Sequence, residues 1–169
     1  MKKRQRSHPP KKKHATRPRS EPVIPLTEEQ RLTLARQEFI KSEIHLKEAE
    51  LLAKAATTPN ACVDSAYYAM HHCAAAAILA AGGVGKRKDF PQSHKHIIEA
   101  YGKIVEREQG VLAETGLFLI RAQIDRDTAD YSLVQSVSNQ DASDPAIDAR
   151  KFVEACDQRW GFRRLQPKT

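Results

Sequence analysis

Aromatic side chains are scarce in this 169-residue chain, at 6%, and Trp160 is its one tryptophan. A core with so few rings must be filled largely by alanine, which favours helices that approach closely. Cysteine is also sparse. Cys62, Cys73 and Cys156 are odd in number and form no Cys-x-x-Cys pair. That argues against a disulfide framework and for a reducing compartment, with Cys73 as a small core residue. No apolar stretch of signal-peptide type comes after the charged N-terminus, so the expected location is the cytoplasm.

Charge is missing from Ser65 to Gly85, and a membrane span needs about 20 apolar residues. The length alone would permit one. The content argues for a buried helix instead, because Tyr67, Tyr68, His71, His72 and many alanines fill the run and Gly82-Gly83 ends it. Acid is missing from residues 1–20, which hold nine Lys and Arg and no Asp or Glu. The rest of the chain has 19 basic against 21 acidic residues, a balance of −2. The overall charge of +7 therefore belongs to the tail, and the folded part is close to neutral.

Residues 1–25 have almost no large apolar side chain and are expected to be disordered, since they cannot bury enough surface to offset chain entropy. Three roles suit such a tail. It can be plainly solvated, it can be an arm that binds polyanions by counterion release, or it can carry a targeting signal. Pro10-Lys-Lys-Lys13 would suit nuclear import in a eukaryote.

Helical periodicity dominates the rest of the chain. Thr27-Glu-Glu-Gln30 is a capping-box signature. A helix to about Ala56 carries Leu32, Ala35, Phe39, Leu46, Ala49 and Ala53 at three- and four-residue steps. Thr57-Thr58-Pro59 ends it, and Asn60 is placed to cap a second helix that stops at Gly82-Gly83. Ala66, Ala69, Cys73, Ala76, Ala77 and Ala80 give that helix a small-residue face. Ser93 is placed to cap a third helix, His94 to about Arg107, and Gly110 separates it from a fourth, about Leu112 to Tyr131. Leu117, Ile120, Ile124 and Thr128 form the expected inner stripe of the fourth. A polar loop over 132–143 is expected next. Ser143 or Asp144 with Pro145 then opens a last helix to about Trp160, with Ile147, Phe152, Val153 and Cys156 inward. The expectation is an all-α, up-and-down four-helix bundle with an additional short C-terminal helix. It would span residues 26–160, after a tail at 1–25 and before one at 161–169.

Two segments stand out, Ser65-Ala-Tyr-Tyr-Ala-Met-His-His72 and Arg126-Asp-Thr-Ala-Asp-Tyr131. Their order and spacing over about residues 28–158 resemble the HEPN family (higher eukaryotes and prokaryotes nucleotide-binding), in its prokaryotic Ala-Tyr-Tyr-Ala-Met branch. The resemblance implies a four-helix bundle with a short extra helix, and a homodimer. It also implies nucleotide or RNA binding, a toxin–antitoxin or defence setting, and a nucleotidyltransferase as partner protein.

Some relatives are ribonucleases that use an Arg followed, after four to six residues, by a His. Carried onto Arg126, that His would stand at 131, 132 or 133, which are Tyr131, Ser132 and Leu133. Metal-independent RNA cleavage needs a group that takes and returns a proton near neutral pH, which His does well. Tyr131, with an ordinary pKa near ~10, does it poorly. The chain is therefore read as leaning away from enzymatic activity. Arg87 followed by His94 fits the spacing, but Pro91 lies between them in an expected loop.

The resulting nucleotide- or RNA-binding candidates are Arg126, Asp130, Tyr131, Tyr68, His72 and His94. Arg126, His72 and His94 are also the candidates for any catalysis. Arg126 and Asp130 lie four apart on one helical face and can instead pair with each other. No cofactor is expected. No metal is expected either, because His71 and His72, and His94 and His96, do not share helical faces. The other class of function open to the chain is a non-catalytic helical scaffold that binds a partner protein.

Overall fold

The computed structural model describes residues 25–55, 58–86, 89–131 and 139–165, and among these it is all helical. The first helix, α1 (Glu28–Ala55), starts at the expected capping box. Gln30 N donates to Thr27 Oγ1 at 3.2 Å and Thr27 N donates to Gln30 Oε1 at 3.0 Å. Helix α2 comes next at Pro59–Ala80, then α3 at His94–Val105, α4 at Val111–Tyr131 and α5 at Asn139–Trp160. A 3₁₀ turn at Phe162–Arg164 closes the described chain.

Helix α2 lies at the centre and packs against each of the other four. Its alanines make this possible. Ala66, Ala69, Ala74, Ala75, Ala76 and Ala77 are all buried, and such small side chains let neighbouring backbones close in. The few large rings fill the spaces left: Phe39, Tyr67, Tyr101, Phe152 and Phe162 are fully enclosed. Helices α1 and α2 run antiparallel. Leu26 N donates to Gly85 O at 2.9 Å and Arg31 Nη1 to Leu79 O at 3.1 Å, while at the other end Cys62 Sγ donates to Ala49 O at 3.4 Å. Gly82, just past α2, has φ of +79°, the left-handed conformation that ends helices and favours glycine. All three cysteines are buried thiols outside any disulfide.

Several expectations need correcting. The α4 stripe is the largest. Leu117, Ile120 and Ile124 are exposed, at 56%, 45% and 58%, and Thr128 is exposed as well. The buried face is Leu112, Thr115, Leu119 and Ala122, a smaller and partly polar set. Helix α4 carries two apolar stripes, and periodicity alone does not say which of them turns inward; Leu112 and Leu119 take the core side.

Asn60 is not a cap. Thr58 takes that position, and Asn60 lies within α2, where its amide donates to Ala129 O at 3.2 Å. The last helix is not short, at 22 residues, and it begins inside the expected loop, so Pro145 lies within it rather than at its start. Proline is favoured at a first turn but does not forbid helix before it. Ile147 is 51% exposed, whereas Phe152, Val153 and Cys156 face inward as expected. Phe162, assigned to a terminal tail, is instead a core residue stacked on Phe39 with ring centroids 4.8 Å apart. The expected tail over 1–24, the pair Arg87 and Lys88, and residues 132–138 lie outside the described residues. No helix among the described residues is long and apolar enough to cross a membrane.

Candidate functional site

A polar stripe interrupts the alanine-rich surface of α2. Asp64, Tyr67, Tyr68, His71 and His72 succeed one another at helical steps of three and four, so they share one side of the helix. Helix α4 crosses this side near its C-terminal end and brings Arg126 onto it. Arg126 Nε donates to Asp64 Oδ1 at 3.1 Å, and its guanidinium carbon lies 5.5 Å from the ring centres of both Tyr67 and Tyr68. At that distance the ring quadrupoles attract the cation. Asp127 Oδ1 is 3.9 Å from Arg126 Nη1.

Helix α3 supplies the third side. Ser93 caps it as expected, accepting from His96 N at 3.3 Å, and this orients the first turn so that His94 points back at α2. His94 Nδ1 lies 2.6 Å from the Tyr67 hydroxyl, and the two rings stack at 5.5 Å. Burial pushes the Tyr67 hydroxyl pKa well up, against the opposing pull of Arg126. Tyr67 therefore stays protonated and donates, and His94 accepts at Nδ1 and carries its proton on Nε2. Burial, followed by Arg126, lowers the His94 pKa, so this neutral form is the prevailing one.

His71 completes the cluster. Its ring lies 4.6 Å from that of His94, and neither of its nitrogens has a hydrogen-bond partner. Burial, with His94 and His72 adding to it, lowers its pKa to about 4. It is thus a neutral imidazole with idle donor and acceptor, enclosed beside a cation. Buried polar groups are nearly always satisfied, so an idle one calls for an explanation.

His72 lies at the outer edge. Its Nδ1 donates to Glu38 Oε2 at 2.7 Å, and its ring stacks on His45 at 5.5 Å. Burial acts to raise the Glu38 pKa, but the hydrogen bonds from His72 and Lys41 outweigh it and the net shift is downward. Glu38 is thereby an anionic anchor for His72.

Of the expected site residues, Arg126, Tyr68 and His94 come together, and His72 adjoins them while held by α1. Asp130 and Tyr131 end α4, but their side chains lie outside the described residues, as does Arg87. Sequence reasoning misses three residues: Asp64, Tyr67 and His71. The signal that finds them is the polar periodicity of α2 itself, since Tyr67 and His71 are spaced like Tyr68 and His72, with Asp64 one turn earlier. Among the described residues no group of three or more His, Cys, Asp or Glu side chains can hold a metal ion. Comparison with protein-family models, with curated proteins and with solved structures finds no match to this chain.

Proposed function

We propose that this chain is a HEPN-type protein that binds RNA or a nucleotide through its phosphate at the Arg126 cluster, as a component of a toxin–antitoxin or defence-like module. The observation that carries this reading is the convergence of one guanidinium, two tyrosine rings and two neutral imidazoles from three helices. Guanidinium suits phosphate geometry, and the half-buried Tyr68 ring offers stacking surface to a base. The motifs that suggested the family supply the α2 and α4 parts of this cluster. A four-helix bundle with an extra helix, a homodimer, a nucleotidyltransferase partner and a cytoplasmic setting belong to the same reading.

Binding, rather than turnover, is the proposed role. Both His71 nitrogens are enclosed, so His71 is not free to shuttle a proton to bulk water, and His94 is held at Nδ1 by Tyr67. The test is a titration of short single-stranded RNA and of ATP against the full chain and against Arg126→Ala. Binding should weaken about tenfold or more, the range for losing a charge-assisted contact, while circular dichroism stays unchanged. The basic tail is separated by deleting residues 1–25. Loss of all binding on that deletion, with Arg126→Ala unaffected, would sink the site.

One observation favours a second reading, a non-catalytic scaffold. The Arg126–Asp64 ion pair joins α4 to α2 and is only partly exposed, at 21% and 41%. On this reading Arg126→Ala lowers the melting temperature and leaves RNA and nucleotide binding untouched.

A further inference from the structure

We propose that the groove along the first half of α1 docks an amphipathic peptide segment of another protein, one that carries a carboxylate between two apolar side chains and a base toward one end. The groove has a volume of about 1010 Å³, and its lining runs along α1 from Glu28 to Ile40 and includes Arg164 and Leu165. The fold builds that second wall. Gly161, at φ of +67°, turns the chain after α5, and Phe162 enters the core. Arg163 is then clamped, its Nε donating to Glu43 Oε1 at 2.8 Å and its Nη1 to Asp157 Oδ2 at 3.1 Å. Arg164 and Leu165 follow directly and form the lip of the groove. The site shares no residue with the Arg126 cluster and rests on neither the RNA reading nor the family resemblance.

The lining says what the groove takes. Leu32 and Ile40 lie about 12 Å apart along α1. Leu32 is half-buried and Ile40 is 43% exposed, and with Leu165 they offer apolar seats. Arg36 stands between them. Its guanidinium makes no hydrogen bond among the described residues, although Nη1 is shut away from solvent. Its contact with Glu43 Oε2, at 3.7 Å, is too long for a hydrogen bond, and Glu43 is already held by Arg163. Arg164 is exposed, and its side chain has no ion pair among the described residues. Buried polar groups are nearly always bonded, and guanidinium takes carboxylates through paired hydrogen bonds, so this part of the groove calls for an acid. Glu28 and Glu29 line the other end, about two turns from Arg36, and both are exposed. They repel a polyanion and favour a base. A fatty acid would answer the arginines alone, and a nucleic acid would meet the two glutamates. A peptide supplies acid, base and apolar anchors together, the pattern by which grooves read peptides.

Selection of displayed random peptides on the full chain tests this, with peptides that also bind the Ile40→Asp variant removed. That variant keeps the basic tail, so acidic peptides held by the tail drop out. The survivors should carry an acid between apolar residues. A synthetic survivor should lose about tenfold or more in affinity on Arg36→Glu, which sets like charges together. Changing the acid of the peptide to lysine should restore binding to Arg36→Glu. Circular dichroism should be unchanged in these variants, and Arg164→Glu, at an exposed position, gives the same reading should Arg36→Glu fail to fold. No survivors, survivors without the acid, or affinity indifferent to both arginine variants overturns the proposal. So does displacement of the peptide by short single-stranded RNA from a chain lacking residues 1–25, which would make the groove a polyanion site.

Discussion

Two polar clusters sit inside the molecule, one around Tyr101 and one around Tyr67, and they are finished differently. The Tyr101 hydroxyl donates to Thr115 Oγ1 at 2.7 Å and lies 3.2 Å from Cys156 Sγ, and Thr115 in turn donates to Leu112 O. That chain is closed, and Phe152 packs on the Tyr101 ring at 5.1 Å. The Tyr67 hydroxyl also has its partner, His94, but the imidazole beside it has none. A closed network holds helices together. An open one, next to a cation over aromatic rings, is where a ligand group would be received.

Phe152→Ala should cost about 3–5 kcal/mol of stability, read by urea denaturation, because it empties a fully buried ring site at the closed cluster. The fraction that remains folded should bind RNA as wild type does. If that variant loses RNA affinity with its fold retained, the two clusters are not separate in function.

Acid should distinguish the clusters next. His71 in the folded state has a pKa of about 4 against an ordinary 6.5. Between those values the unfolded chain binds the proton and the folded one does not. Stability is therefore fully present above about pH 6.5 and is lost as pH falls toward 4, by on the order of 2 kcal/mol. The lowered pKa of His94 adds loss of the same sign. Denaturation at several pH values should show this slope, and His71→Leu should flatten it. An unchanged slope in that variant would show that His71 is not the group responsible.

Removing single hydroxyls gives the smallest effects and the sharpest contrast. Tyr101→Phe should cost about 1–2 kcal/mol, since it strands Thr115 and Cys156 in the core. Tyr67→Phe should cost about 1 kcal/mol or less, since His94 is partly exposed. It should also free His94 Nδ1 to accept a proton and so raise the His94 pKa, which an NMR titration of its ring would track. A His94 titration curve that does not move would remove Tyr67 as its donor.

Much of the fold is legible in the sequence, and the reasons are local. Thr27 and Ser93 announce their helices through side-chain caps, and Gly82 ends α2 through a conformation other residues resist. The core face of α1 comes from periodicity, because Ala35, Phe39, Leu46 and Ala49 alternate with charge. Helix α4 misleads because its strongest apolar stripe and its inward face are different stripes. Phe162 escapes notice because nothing local distinguishes a core ring three residues from Leu165 from one in a tail. At the site, Arg126 and His94 are legible, whereas His71 gains meaning only when α3 is placed against α2.

The most direct measurement is anisotropy titration of a short labelled single-stranded RNA against the full chain and its Arg126→Ala variant, at one stated salt concentration. A phosphate site at Arg126 predicts a loss of affinity of about tenfold or more, with the helical spectrum intact. Equal affinity for the two proteins, with a lower melting temperature for Arg126→Ala, would contradict it and leave Arg126 as a tie between helices.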